Sequence, residues 1–378
     1  MSRPRLVYLV TEDWYFISHR LPMARAARDA GYEVHVATRV EHHGAAIEAE
    51  GFQLHPADLY RGSINPFNVV AAIFEVRRLY RKLAPAAIHH IALQAIVIGS
   101  LAAIGLKSPR INSILGFGSF FTSPKLKART ARIVSRILLP LILNRDVSLT
   151  LVVNPEHKDV LRTYGIASER IAVFPGSGVD VDRLRPLPEP PEPITVGYVG
   201  RMLEDKGVNT LMRAYQLLRN KGLALQLVLA GTPDPYNISS ISVRELESWS
   251  RRPGVNWVGH VDDISTLWAR AHISVLPSRT EGLPLSLLEA AACGRPIVAS
   301  DIPGCREIAH QDINALLVPP DDPQPLANAI ERLATDAELR RRFGAASRQL
   351  VEAKFSSVLV GKAIVAIYDR LTGQNSVS

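Results

Sequence analysis

Short runs of β-branched and other apolar residues alternate along this chain with segments of helical period. Leu6–Val10 reads as a strand, His19–Ala30 as a helix and Glu33–Ala37 as a strand. The same rhythm continues with a helix near Pro66–Lys82, a strand at Ala87–His90, a helix at Ala95–Ile104 and a strand at Arg110–Ile114. Strands alternating with helices in this way form parallel sheets covered on both faces. The rhythm breaks at Leu187–Pro193, Leu-Pro-Glu-Pro-Pro-Glu-Pro, where neither a helix nor a central strand can form. It then restarts, with strands at Ile194–Val199, Leu225–Ala230, Val255–Val258 and Ile273–Leu276, a helix at Gly207–Lys221 and another from about Leu285.

At 378 residues the chain exceeds what one hydrophobic core supports. The expected fold is therefore α/β, with two doubly wound Rossmann-like domains facing a central cleft. The expected boundaries are an N-terminal domain over 1–186, a linker over 187–193 and a C-terminal domain over 194–355. A C-terminal helix and tail over 356–378 can pack back on the N-terminal domain. Ligands of doubly wound sheets lie beyond the carboxyl ends of the strands, so the functional residues are sought in those loops.

Charge separates the halves. Residues 1–180 carry 22 Lys/Arg against 14 Asp/Glu, whereas residues 181–378 carry 22 of each, so the whole excess of +8 lies in the first half. A basic surface attracts nucleic acid, anionic lipid or a phosphorylated substrate. No zinc-finger spacing or aromatic-glycine RNA-binding motif interleaves with these charges, so no nucleic-acid partner is expected. Cys293 and Cys305 cannot build a disulfide framework and are read as packing residues. With no run long enough to span a bilayer and too short an apolar start for a signal peptide, the expected location is the cytoplasm.

The segment Val199-Gly-Arg-Met-Leu-Glu-Asp-Lys-Gly207 leaves a strand and enters a helix. Gly200 lets the backbone approach a ligand, and Arg201 and Lys206 place two cations where a diphosphate would sit. A solvated basic loop is the bland alternative. Downstream, Glu281 lies in a loop after a strand, Gly282 permits a tight turn, Pro284 suits the first helical turn, and Glu289 follows a little over two turns on. The N–H groups around Leu283, Pro284, Leu285 and Ser286 then point out of a helix start, which attracts phosphate. Glu281 can accept from sugar hydroxyls and Glu289 from ribose hydroxyls. A capping glutamate and a surface glutamate are the plainer reading of that pair.

These motifs, with Pro296–Ser300 and Gly304-Cys-Arg-Glu307, resemble the retaining family 4 glycosyltransferases of two-domain Rossmann-like (GT-B) fold. The likeness covers nearly the whole chain. It is strongest to bacterial enzymes that extend polyprenyl-diphosphate-linked oligosaccharides, through Ser63–Phe67, Gly116–Phe121 and Gly176–Asp180. The resemblance implies that Arg201 and Lys206 neutralise the donor diphosphate, Glu281 contacts the transferred sugar and Glu289 holds the ribose. It also implies a metal-independent enzyme, so Asp180-Val-Asp182 is not read as a metal motif and no cofactor beyond a UDP-sugar donor is expected.

The acceptor side rests on fewer residues. His89 and His90 end a strand of the first domain, where a cleft-facing imidazole can bond the sugar or share a proton, unless both are structural. Related enzymes carry a Lys soon after such a pair, where this chain has Gln94. His19 is expected to open a helix beside the acceptor, Arg20 to meet an acceptor phosphate, and Gly116 and Gly118 to offer N–H groups to a phosphate. Each also has a plain capping or turn reading. The segment Lys125–Asn144 is basic first and oily later, with a kink expected at Pro140. That pattern suits a peripheral helix at an inner membrane surface rich in anionic lipid.

The function expected is transfer of a hexose or N-acetylhexosamine from a UDP-sugar to a polyprenyl-diphosphate-linked glycan, in surface polysaccharide or glycoprotein glycan assembly. A nucleotide-sugar epimerase of the same fold is the alternative, and an inactive sugar-nucleotide-binding protein a third reading.

Overall fold

In the first sheet, strand β1 (Arg5–Glu12) shows why the alternation is so legible. Leu6, Tyr8 and Val10 point to one face and join a core with Met23, Ala27, Val360, Ile364 and Tyr368. Val7 and Leu9 point to the other and pack with Val76, Tyr80, Ile98 and Ala102. A strand buried on both faces reads as a continuous apolar run, the mark of a parallel sheet between helical layers. The computed structural model describes residues 3–60, 65–116, 126–235, 237 and 239–374, with the side chains of 126–131 left aside.

Strands β2 (Glu33–Arg39), β3 (Gln53–Pro56), β4 (Ala87–Ile91), β5 (Arg110–Ile114), β6 (Ser148–Val152) and β7 (Ile171–Val173) complete the first sheet. Its order is β3-β2-β1-β4-β5-β6-β7, parallel throughout, with Tyr8 opposite both Val36 and His89. The second sheet comprises β8 (Thr195–Val199), β9 (Gln226–Ala230), β10 (Val255–Gly259), β11 (Ile273–Leu276), β12 (Ile297–Ser300) and β13 (Ala315–Val318). Its order is β10-β9-β8-β11-β12-β13, again parallel. In each sheet the order reverses beside its first strand, which gives two doubly wound Rossmann-like domains, each with a topological switch point.

The chain divides into one compact unit of residues 1–178 with 357–378 and another of 179–356. The boundary therefore falls at Gly178, not in the proline-rich segment. Arg348 donates to the carbonyls of Val181 and Leu184, and Arg295 to that of Pro188, so residues 179–193 are fastened to the second unit. Proline fixes the local φ, and the arginines decide where the stiff segment lies. The helix Ser357–Thr372 packs against Leu21–Asp29 in the first unit. The helix expected over His19–Ala30 is two helices, Asp13–His19 and Leu21–Asp29. Arg20, at φ −121° and ψ −14°, breaks the run, and Pro22 starts the second helix. Both cysteines are free and buried, and burial raises the Cys293 thiol to about 11.

Candidate donor site

The switch point of the second sheet lies between β8 and β11, and the residues singled out from sequence flank it. The loop after β8 carries Gly200, Arg201 and Lys206; the loop after β11 carries Ser278, Glu281 and Gly282. Lys206 Nζ donates to Glu281 Oε1 at 2.6 Å, and Ser278 Oγ donates to the same oxygen at 2.7 Å. With side chains 19% and 10% exposed, Lys206 and Glu281 form a sheltered pair whose attraction water screens only in part.

Arg201 pairs in turn with Asp234, Nη1 to Oδ2 at 2.7 Å. The two cations expected where a diphosphate would sit are therefore each bonded to a carboxylate. A sequence of this kind does not show such pairing, because 33 and 75 residues separate the partners. Asp234 belongs to the segment after β9, which braces the Arg201 loop. Met202 N–H donates to the Thr232 carbonyl, Glu204 N–H to that of Ser239 and Ile241 N–H to that of Met202. The Tyr198 hydroxyl donates to the Arg201 carbonyl at 3.1 Å from the buried strand below. Asp234 and Ser278 were missed by sequence reasoning; their position in loops after strands was the available signal.

Two glycines make the assembly possible. Gly207 ends the Arg201 loop at φ +73°, and a Cβ there would lie 1.9 Å from the Pro277 carbonyl oxygen. Gly304 opens the space beneath the other loop: a Cβ would lie 2.4 Å from the Glu281 carbonyl oxygen. Only a residue without a side chain permits either approach.

The helix Leu285–Ala292 starts at this loop. Pro284 is its N-cap in extended conformation, one place earlier than the first helical turn, and its ring offers no acceptor to the helix start. Leu283 and Leu285 are partly buried and pack against the core of the second unit. Glu289, on the second turn, is partly exposed, yet the protein around its carboxyl raises it from the usual carboxylate range to about 7. Lost hydration is the main cause, and the Arg183 charge pulls the other way. Glu281 is thus bonded to Lys206 and Ser278, and Glu289 is a partly exposed residue of the helix.

The first-unit candidates behave differently. His89 and His90 are wholly buried, so the expectation that they face a cleft is corrected. His89 is bonded on both ring nitrogens, to the Tyr368 hydroxyl and to Ser113 Oγ, each at 2.7 Å. His90 Nδ1 lies 2.7 Å from Asn112 Oδ1. Burial holds His89 well below the usual imidazole range and His90 at about 4, so neither shares a proton near neutrality.

His19 ends its helix instead of opening one, and stacks on Tyr15 at 4.3 Å. Arg20 is 1% exposed, with Nη1 against Met23 Sδ at 3.5 Å, so it does not stand open to an acceptor phosphate as expected. Gly116 is exposed just past β5, and Gly118 lies outside the described residues. The sequence also gave no hint of Asp13. It is fully buried beyond β1 and accepts from the N–H groups of Glu41, His42 and His43 at 2.8, 2.9 and 2.7 Å. Burial pushes its carboxyl up, but these donors together hold it below the usual range.

Comparison with known proteins places this geometry. Residues 193–336 match the family described as glycosyl transferases group 1, and residues 5–151 match that described as glycosyl transferase 4-like. A Campylobacter jejuni relative, N,N'-diacetylbacillosaminyl-diphospho-undecaprenol alpha-1,3-N-acetylgalactosaminyltransferase, is 27% identical over 94% of this chain and 98% of its own. The alpha-D-kanosaminyltransferase of Streptomyces kanamyceticus is 33% identical over 45% of this chain and 44% of its own. Among solved structures, a sucrose-phosphate synthase from Thermosynechococcus elongatus superposes with TM-score 0.83 at 21% identity, covering 98% of this chain and all of that one. Anabaena HepE, in complex with UDP-glucose, superposes with TM-score 0.80 at 17% identity, covering 97% of this chain and all of that one. With two Rossmann-like domains, both family matches and a charged loop pair at the second switch point, the chain belongs to the family 4 glycosyltransferases of GT-B fold.

Proposed function

We propose that this protein is a retaining glycosyltransferase that moves a hexose or N-acetylhexosamine from a UDP-sugar to a glycan carried on polyprenyl diphosphate. The observation that carries this reading is the joining of the Lys206 and Glu281 loops at the switch point of the second sheet, with Arg201 and the start of the helix Leu285–Ala292 beside them. A diphosphate there meets two cations and a positive helix end. Glu281 is set to accept from the sugar and Glu289 from the ribose. HepE was solved with UDP-glucose and the Campylobacter relative acts on a diphospho-undecaprenol acceptor, which supports both substrate classes.

In the reaction proposed, the bond from the anomeric carbon to the donor phosphate oxygen breaks while the acceptor oxygen bonds the same face of that carbon. The acceptor proton passes to the departing phosphate oxygen. Arg201 and Lys206 stabilise the charge that develops on the diphosphate, so neither a divalent metal nor a further cofactor is required.

An anionic lipid surface is the proposed second partner, at the cytoplasmic face of the inner membrane. On the helix Leu126–Leu143, Ile133, Val134, Ile137 and Leu141 are 54–65% exposed along one stripe, beside Arg132 and Arg136. That stripe supports the interfacial reading over a core helix with a solvated basic end. Among the described residues no helix is long and apolar enough to cross a membrane.

The test is thermal unfolding against a panel of UDP-, GDP- and ADP-sugars, followed by incubation with the stabilising donor alone and with a polyprenyl-diphosphate oligosaccharide. Stabilisation by a UDP-sugar, slow UDP release alone and rapid release with acceptor are expected. Interconversion of sugars without acceptor would instead identify an epimerase.

A further inference from the structure

The second unit holds another recess, of about 410 Å³, lined in part by Glu189, His272, Arg295, Arg340, Arg341 and Arg348. That volume suits a small molecule. The recess lies at the opposite end of the sheet from the donor loops. His272 and Arg295 stand just before β11 and β12, whereas Ser278 and Glu281 follow β11.

Arg295 and Arg340 are only 3% and 7% exposed, and a guanidinium so buried ordinarily has its N–H groups matched. Most of them are. Arg295 donates through Nε to the Trp268 carbonyl and through Nη2 to that of Pro188, at 2.9 and 3.0 Å. Arg340 donates through Nη1 to the carbonyls of Leu333 and Ala334, at 2.7 and 2.9 Å, and through Nε to Glu189. Arg348 uses its nitrogens on Val181, Leu184, Ala292 and Glu352.

These bonds strap down the proline-rich segment and fix two guanidinium planes; among the described residues Arg295 Nη1 and Arg340 Nη2 have no protein acceptor, and neither atom is among the fully buried, unpartnered ones. Arg341, exposed at the rim, makes one bond of 3.4 Å from Nε and keeps both terminal amino groups unshared. The lining carries four arginines against the single carboxylate of Glu189. Strapping the segment needs neither Arg341 nor the unshared amino groups.

We propose that this recess is an anion site for the phosphoryl group of a small molecule, gripped by Arg295, Arg340 and Arg341. A phosphoryl group offers several charged oxygens to guanidinium donors from different directions, which a planar carboxylate does not. The buried pair is already oriented, so little side-chain freedom is lost on binding. The site is separate from the donor loops and stands whether or not the donor assignment does.

Inorganic phosphate is the probe, titrated into the full chain at constant ionic strength with chloride as control, and followed by the thermal midpoint. A rise specific to phosphate is expected. Arg341→Gln, whose exposed position leaves the phosphate-free midpoint unchanged, should weaken the apparent affinity about tenfold. Arg201→Gln should keep the part of the response that Arg341→Gln removes. No phosphate-specific rise in the wild-type chain would overturn the proposal. So would a response kept by Arg341→Gln, and one lost only in Arg201→Gln would place the phosphate in the donor loops.

Discussion

Lys206 Nζ lies 2.6 Å from Glu281 Oε1, so an ion pair joins the loops after β8 and β11 at the point where the strand order of the second sheet reverses. The same two groups are proposed to meet the donor, one at its diphosphate and one at its sugar. On that proposal, donor binding shares or exchanges this pair.

Removing one partner should therefore harm catalysis far more than folding. Glu281→Ala is expected to abolish turnover, and Lys206→Gln to lower kcat/KM by roughly 100-fold or more, as for other groups aimed at developing charge. Folding stability should fall by no more than about 1–3 kcal/mol, between the cost of breaking an exposed pair and that of breaking a buried one. Steady-state kinetics with calorimetry checks this, and full activity of Glu281→Ala would sink the assignment.

Glu289 gives a pH signature of its own. Its carboxyl stands at about 7 in the folded chain and in the ordinary range of 4.5 when unfolded. Between those values the folded state holds the extra proton, so stability falls as pH rises from about 4.5 to 7, by at most roughly 3 kcal/mol. UDP affinity should move the opposite way, because ribose hydroxyls donate to the charged carboxylate. Denaturant titrations and calorimetric UDP binding from pH 5 to 8 test both trends, which Glu289→Gln should flatten.

The two buried histidines carry the opposite slope. His90 stands at about 4 when folded against 6.5 unfolded, and His89 is held well below the usual imidazole range, burial being the leading cause in each. The unfolded chain binds the extra protons, so stability is complete above 6.5 and is lost as pH falls towards 4, by roughly 3 kcal/mol for His90. His90→Gln should shallow the acid-unfolding curve while leaving the pH profile of turnover near neutrality unchanged. A shift in that kinetic profile would return His90 to the catalytic machinery.

The strand rhythm was readable because parallel strands buried on both faces must be short apolar runs, as Leu6–Val10 and Ile273–Leu276 are. Lys206 and Glu281 could be placed near one switch point because both follow strands of the second sheet, and Glu289 because it lies on the helix that comes next. What escaped depends on distant partners. His89 is inert because Tyr368, 279 residues later, closes its Nδ1 side. Asp234 matters because a loop after β9 folds against one after β8. The domain boundary escaped because prolines stiffen a segment without choosing its neighbours; Arg295 and Arg348 choose them.

Metal independence is open to direct test. If Arg201 and Lys206 carry the leaving charge, EDTA should leave donor turnover within about twofold, since preorganised cations supply that stabilisation. Loss of activity on chelation, restored by Mg²⁺ or Mn²⁺, would assign the charge to a bound cation instead.

Gly304 separates the geometry of the site from its charges. A methyl group there would meet the Glu281 carbonyl oxygen at 2.4 Å and that of Gly282 at 2.6 Å, so the Glu281 loop must move if the helix Pro303–Arg306 stays. Gly304→Ala adds no charge and removes none. A displacement of about 1 Å at a catalytic group is enough to lower rates roughly 100-fold, while overpacking costs about 1–3 kcal/mol of stability. The variant should therefore stay folded and lose most of its kcat. If activity persists while the thermal midpoint falls, the backbone position of Glu281 is not what the reaction depends on, and its side chain must reach the donor from more than one loop conformation.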